Sequence, residues 1–255
     1  MRGRLARTAF VCLLLSPLLS ACFGDGGPAA LPATGAVVCD KLKESERFRY
    51  TQNYILESKQ QENPPDDATD SEGYFLKPSR PDLRLNIKHS GAAQRPDRLD
   101  YEISLPDQPD QAPAREIRIG ENRFVLVGDA WQAGGGANQE PFNPLNICER
   151  IVSPLDLAGK VVNQENLGDT KTRHVRIDGA SLTAAAQLFG PASDMGRLLT
   201  SFDVDLWLRH KDHRPVKIEA VSKASFPYGR ELSIRFVLEI GSYNDDEIDI
   251  QPPPI

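Results

Sequence analysis

The 255-residue chain has none of the short motifs that carry common catalytic chemistry. There is no Gly-x-Ser-x-Gly to raise a serine nucleophile. There is no glycine-rich loop ending in Lys-Ser/Thr to cradle phosphates, and no Asp-x-Asp-x-Asp-Gly loop for calcium. Cysteine occurs only four times and never as CxxC, which argues against a zinc site. Beyond the first twenty-one residues, no apolar run approaches the ~18 residues of a membrane-spanning helix. Positive charge is also in deficit, with 30 Lys and Arg against 36 Asp and Glu and a net charge of −6. An acidic surface excludes electrostatic docking on nucleic acid, whose phosphates need a basic face. It also disfavours electrostatic attraction to anionic lipid. Neither a cofactor nor a metal is expected.

The N-terminus supplies what the rest of the chain lacks. Arg2, Arg4 and Arg7 precede an apolar run from Ala9 to Leu19, followed by Leu19-Ser20-Ala21-Cys22. A basic start, a short apolar core and small residues before the cut make a secretory signal. The four residues match the bacterial lipobox, so the segment resembles lipoprotein signals and implies that the Cys22 thiol is acylated. The alternatives are an ordinary signal with a chance cysteine, or an anchor helix. Residues 1–21 are read as signal, 22–37 as a Gly/Pro/Ala-rich flexible tether and 38–255 as a single domain. Loss of the three arginines moves the formal charge from −6 to −9, so the acyl chains must do the anchoring. The protein is expected in the cell envelope, lipid-anchored on the extracytoplasmic side of a membrane.

Cys12 leaves with the signal, so Cys39 and Cys148 remain beside Cys22. An extracytoplasmic address permits a disulfide between them, and two buried free thiols are the alternative.

Most of the domain alternates apolar and polar with period two, the signature of strands with one dry face. Leu83, Leu85 and Ile87 make one such row. Leu99, Tyr101, Ile103 and Leu105 make another, as do Val204, Leu206 and Leu208; Val216, Ile218 and Ala220; and Leu232, Ile234, Phe236, Leu238 and Ile240. With Phe48 to Glu57, Ile117 to Ile119, Phe124 to Val127, Lys160 to Glu165 and Arg173 to Ile177, about ten strands are expected. Their short links predict antiparallel pairing. Four stretches break the rhythm. A short helix is expected around Cys39 to Ser45. Another begins at Asn143-Pro144, with Leu145, Cys148, Val152 and Leu155 on one face. Ser181 to Phe189 reads as an Ala-rich helix, and Met195 to Phe202 as a further turn or two.

Other clusters read as structural. His210-Lys211-Asp212-His213 lies in a hairpin turn whose lysine and arginine would repel a cation. Asn244 to Asp249 reads as an acidic edge, and Gly134-Gly135-Gly136 as a loop. His89 is isolated, and His174 falls out of phase with Val175 and Ile177, which predicts that it faces solvent.

A large sheet with one dry face and only a few short helices must curve around them, leaving room where an apolar ligand binds. The lipobox and tether, the stretch CDKLKESERFRYTQNYILES from position 39, DVDLWLRHKDHRPVKIEAV from 203 and YNDDEIDIQPPP from 243 follow one another in an order similar to that of the LppX/LprG-type lipoproteins, relatives of the LolA/LolB carriers. The resemblance implies an α+β, mostly β fold, a half-closed antiparallel barrel with helices on its concave face. It also implies binding or transport of lipids or lipidated molecules across the cell envelope. It transfers no residue except Cys22 as the anchor. An envelope hydrolase is disfavoured by the missing nucleophile and base, so no enzyme is expected. From strand phase, the expected ligand-lining residues are Tyr101, Ile103, Leu206, Ile234, Phe236 and Leu238, with Leu145 to Leu155 opposite. The protein is expected to be a monomer. The alternative function is an interaction or structural envelope lipoprotein without a small-molecule ligand.

Replacing Cys22 by Ala is expected to release the protein from membranes. Fractionation after a high-salt wash checks this, and a mutant that still pellets has a second anchor.

Overall fold

The computed structural model describes residues 31–60, 81–134, 143–158, 160–180, 198–226 and 229–254. The signal, Cys22 and the Ser181–Phe189 stretch lie outside the described residues.

The chain forms α1 (Gly35–Lys43), β1 (Arg47–Gln60), β2 (Leu83–Gln94), β3 (Arg98–Ser104), β4 (Ala114–Ile119), β5 (Asn122–Val127) and β6 (Ala130–Ala133). Then come α2 (Ile147–Ile151), β7 (Val161–Leu167), β8 (Thr170–Ile177), β9 (Leu199–Arg209), β10 (Pro215–Phe226) and β11 (Arg230–Gly241). Among the described residues, all 11 strands belong to one sheet in the order β6-β5-β4-β3-β2-β1-β11-β10-β9-β8-β7. Every adjacent pair is antiparallel. The sheet does not close on itself, and its edges are β6 and β7. The result is a half-open barrel with helices against its inner face.

The order follows from one long-range pairing. The first and last strands lie side by side at the centre, from Arg49 opposite Gly241 to Gln60 opposite Arg230. Two meanders run outward from them. The two edge strands are therefore consecutive in sequence, and the chain between them, which contains α2, has to return from one edge to the other. Its described residues, 143–158, lie over the inner face. Ile147, Cys148, Ile151 and Val152 of the return segment join one buried cluster with Val38, Cys39 and Leu42 of α1 and with Phe48, Leu206, Phe236 and Leu238 of the sheet.

A disulfide between Cys39 and Cys148 ties α1 to α2, with their Cα atoms 5.6 Å apart. Gly35 permits the close approach at the helix start, since a Cβ there would lie 1.7 Å from the Val152 carbonyl oxygen. The preceding residues are docked as well: Thr34 bridges Asp156, and Leu157 donates to the Ala33 carbonyl at 2.8 Å. The helix therefore begins inside the stretch read as tether, because these backbone bonds hold it to the α2 segment. Asn143 also acts one turn earlier than the helix proper. Its side chain accepts from Leu145 N at 2.9 Å, and the helix starts at Ile147.

The expected alternation is borne out along β9, β10 and β11, whose even-numbered residues from Phe202 to Leu206, Ile218 to Phe226 and Ile234 to Ile240 are buried. Two expectations are corrected. Leu199 to Phe202 is the start of β9 and not a helical turn, because Leu199 pairs with Ala224. The strand missing from the sequence reading is β6, a four-residue edge paired through Leu126 and Trp131.

The outer face is largely charged, with cross-strand pairs such as Arg115 with Asp100 and Arg235 with Glu219. Around Ile117 on β4, however, it carries an apolar patch. The C-terminal tail lays Ile248 and Ile250 over Ile117, with Ala92, Ile119, Phe124 and Trp131 around them. The tail is pinned by Ile250 N to Gln94 Oε1 at 2.8 Å and by Arg98 to the Ile250 carbonyl at 2.7 Å. Burying the two isoleucines contributes about 1.5–3 kcal/mol each.

The Cys39–Cys148 bond closes a loop with a sequence separation of 109. Replacing both cysteines by Ala is expected to lower stability by about 4–5 kcal/mol in the chain-entropy account. Urea unfolding of the exported protein checks this, and an unchanged midpoint would leave the helix pair held by packing alone.

Candidate functional site

Cross-strand register decides which side chains share the inner face. Tyr101 stands opposite Gly91, which stands opposite Tyr50 and then Ile240. Leu206 stands opposite Ile218, which stands opposite Leu238. The six residues expected to line a ligand site, Tyr101, Ile103, Leu206, Ile234, Phe236 and Leu238, therefore lie on one face of the sheet. Five of them are at most 1% exposed and are packed; only Ile103 is half-buried. Beneath α1 and α2 the inner face is a filled core.

The same face is open elsewhere. On β2, Leu83 and Leu85 are 41% and 37% exposed. Ile87, Tyr54 and Leu56 beside them are half-buried. Leu85 pairs with Leu56, which pairs in turn with Ile234, and Ile87 pairs with Tyr54, which pairs with Phe236. This apolar stripe continues the core surface outward along β1 and β2 and ends at the rim. There the buried guanidinium of Arg230 bonds Ser58 Oγ at 3.1 Å and the Ser58 and Pro81 carbonyls at 3.0 and 3.4 Å. Strand phase had named Leu83, Leu85 and Ile87 as a dry row without selecting them, since alternation does not tell which part of a dry face a helix covers.

Polar groups interrupt the stripe at its inner end. Gln52 stands opposite His89 on one side and Leu238 on the other. The His89 ring stacks on Tyr101 with centroids 5.1 Å apart. Burial pushes the His89 imidazole down to about 4, against a smaller raising influence of Glu116. Burial also pushes the Tyr54 phenol up to about 12. Tyr101 owes its position in part to Gly91, where a Cβ would lie 2.1 Å from the Asp100 carbonyl oxygen. Its hydroxyl donates to Glu116 Oε1 at 2.5 Å. Glu116 is buried, which raises its pKa, but hydrogen bonds from Arg123, Tyr101 and Arg118 outweigh burial and hold the carboxyl below its ordinary range. Neither Gln52 nor this role of His89 was visible from the sequence, where one reads as an ordinary strand residue and the other as an isolated histidine.

The outer face has different chemistry. His174 lies out of phase as expected, yet it is largely covered. Its Nε2 lies 2.6 Å from Asp205 Oδ1, and its ring stacks on Trp207 at 4.4 Å. Lys217 sits over the same indole. A cleft of about 480 Å³ opens among Arg49, Lys217, Glu239 and the β7–β8 turn at Leu167 and Gly168. Tyr50, Val216 and Ile240 line it as well, so its walls mix charged and apolar groups. Asp212 is taken up by ion pairs with Arg209 and Arg214. Among the described residues, no group of three or more His, Cys, Asp or Glu is placed to hold a metal, and no helix is long and apolar enough to cross a membrane.

No known family model matches the chain, and neither does any curated protein. Among solved structures, the chain is similar to the Mycobacterium tuberculosis lipoprotein LppX, with 11% identity, 84% of this chain and 94% of that one covered, and a TM-score of 0.39. It is also similar to LprF from Mycobacterium bovis, at 10% identity, coverage of 86% and 96% and a TM-score of 0.39. A LolA superfamily protein from Nitrosomonas europaea gives 9% identity, coverage of 84% and 96% and a TM-score of 0.29. Likeness at this level assigns neither a ligand nor a residue role.

The depressed His89 pKa has a consequence for stability. The unfolded chain takes up a proton at an ordinary histidine near pH 6.5, and the folded chain takes it up only near pH 4. The unfolded state binds more protons in that window, so this residue makes stability fall as pH drops from about 6.5 toward 4, by up to ~3 kcal/mol. Denaturation of wild type and His89→Phe at pH 7 and pH 4.5 checks this, the variant showing the smaller loss.

Proposed function

We propose that this chain is an extracytoplasmic lipoprotein, acylated at Cys22 and held at a membrane surface, whose half-barrel binds or carries a lipid or another apolar ligand on the inner face of β1 and β2. The observation that carries this reading is the stripe of Leu83, Leu85, Ile87, Tyr54 and Leu56. It is apolar, partly exposed, and continuous with the core. Leaving leucines at the surface forfeits about 25 cal/mol for each Å² of apolar area that a ligand would cover. The disulfide fits an oxidising compartment. The reading is of a binding protein and not an enzyme, acting as a monomer, with no nucleic-acid partner.

A second reading, an interaction or structural lipoprotein without a small-molecule ligand, draws support from the packed half of the inner face. Tyr101, Leu206, Phe236 and Leu238 are filled in by their neighbours and offer a ligand no surface.

Uptake of a fluorescent fatty acid by the exported Cys22→Ala protein separates the two. The carrier reading expects saturable binding, and it expects Leu85→Glu to weaken that binding by at least ~1–3 kcal/mol, since a carboxylate would have to be desolvated against the ligand. Position 85 is exposed, so the fold is expected to survive, as circular dichroism would show. Absence of uptake by the parent protein, with no co-purifying lipid in native mass spectrometry, would favour the second reading.

A further inference from the structure

Gln52 is 2% exposed, and its side-chain oxygen has no hydrogen-bond partner. A buried acceptor left unsatisfied is costly, and native folds retain few of them. Ser222 Oγ is also unsatisfied, but it is sealed between Ile234 and Phe202, both buried. Gln52 differs in its neighbours. His89 across from it and Tyr54 two positions on are half-buried and border the exposed part of the stripe. The residues flanking Gln52 by register and phase, His89, Leu238 and Tyr54, carry no charge at neutral pH. The cluster of Glu116, Arg118 and Arg123 lies on β4 and β5, three and four strands from Gln52; Glu116 and Arg118 act on His89 with opposite signs.

We propose that the inner end of the stripe is a subsite for an uncharged hydrogen-bond donor, a hydroxyl or amide N–H on an otherwise apolar ligand, accepted by the side-chain oxygen of Gln52. This rests on the carrier reading and specifies the ligand's polar group. A carboxylate or phosphate has no donor to offer the Gln52 oxygen, and it would have to give up its hydration among neutral groups. A hydroxyl or amide loses less on desolvation and satisfies the orphaned acceptor.

The test uses the exported Cys22→Ala protein and displacement of a bound fluorescent probe by four ligands of equal chain length. Hexadecanol and palmitamide present a donor, hexadecyl methyl ether presents none, and palmitate is charged. The expected result is an advantage of about tenfold for one or both donors over the ether and over palmitate, the size of one buried hydrogen bond with its unsatisfied alternative. The relative strength of the two donors tells hydroxyl from amide. In Gln52→Leu the ratio of donor to ether should fall to near one. The ligand-free variant should melt ~2–4 °C higher than its parent, because an orphaned polar atom has been replaced by an apolar one. Gln52→Met repeats both readouts should the leucine disturb packing. Equal affinity for donor and ether in the parent protein overturns the subsite and leaves the carrier reading standing; so does a lower melting temperature in both variants, which would mean that a trapped water already satisfies Gln52. Failure of all four ligands to displace or bind removes the carrier reading itself.

Discussion

The pairing of β1 with β11 is the constraint on which the rest of the architecture depends. It places the two ends of the domain at the centre of the sheet and sends the middle of the chain to both edges. With β6 and β7 at opposite edges yet adjacent in sequence, the connection between them has to pass over one face. That passage brings α2 onto the inner side, where the disulfide fastens it to α1 just ahead of the central strand. The helices are thus fixed over one part of the inner face by chain connectivity as much as by their own apolar sides. They leave Leu83 and Leu85 on β2 exposed.

Both faces of the sheet are used, and unequally. The inner face is apolar along β1, β2 and β9–β11, covered only in part, and turns charged at Glu116, Arg118 and Arg123 on β4 and β5. The outer face is largely polar, with one apolar patch at Ile117, Ile119, Phe124 and Trp131 that the C-terminal tail closes with Ile248 and Ile250. This small second core backs Ala92 at one end of β2 and the strands β4–β6. Beside Leu83 and Leu85 the outer side is charged instead, with Arg84 paired to Glu57 and Asp107.

The strands were legible because strict alternation over five or more residues has few other physical meanings. The rows from Leu232 to Ile240 and from Leu99 to Ile103 were read with the correct face inward. The α2 region was legible through Asn143-Pro144 and its apolar spacing. Less legible was the dryness of Ile117, Ile119 and Phe124 on the opposite face, since a partner from residues 248–250 is invisible to local pattern. The lining residues chosen from phase were the most apolar ones, and those are the positions that packing claims first. Leu83 and Leu85 had the same phase and are exposed, since neither α1 nor α2 covers them. Gln52 could not be picked out at all: a polar residue on a dry phase is recognised only once the register shows what surrounds it.

The central pairing also bears on how the protein reaches its folded state. Glu46, at the threshold of β1, bonds a residue 198 positions further along the chain, and β1 has no neighbour on one side until β11 arrives. Contacts so distant in sequence make folding slow and leave strand edges exposed meanwhile. A chain synthesised from its N-terminus must deliver almost its whole length before the sheet can be completed. Until then the early half of the barrel waits with an unpaired edge on β1, open to chaperones or to a second chain.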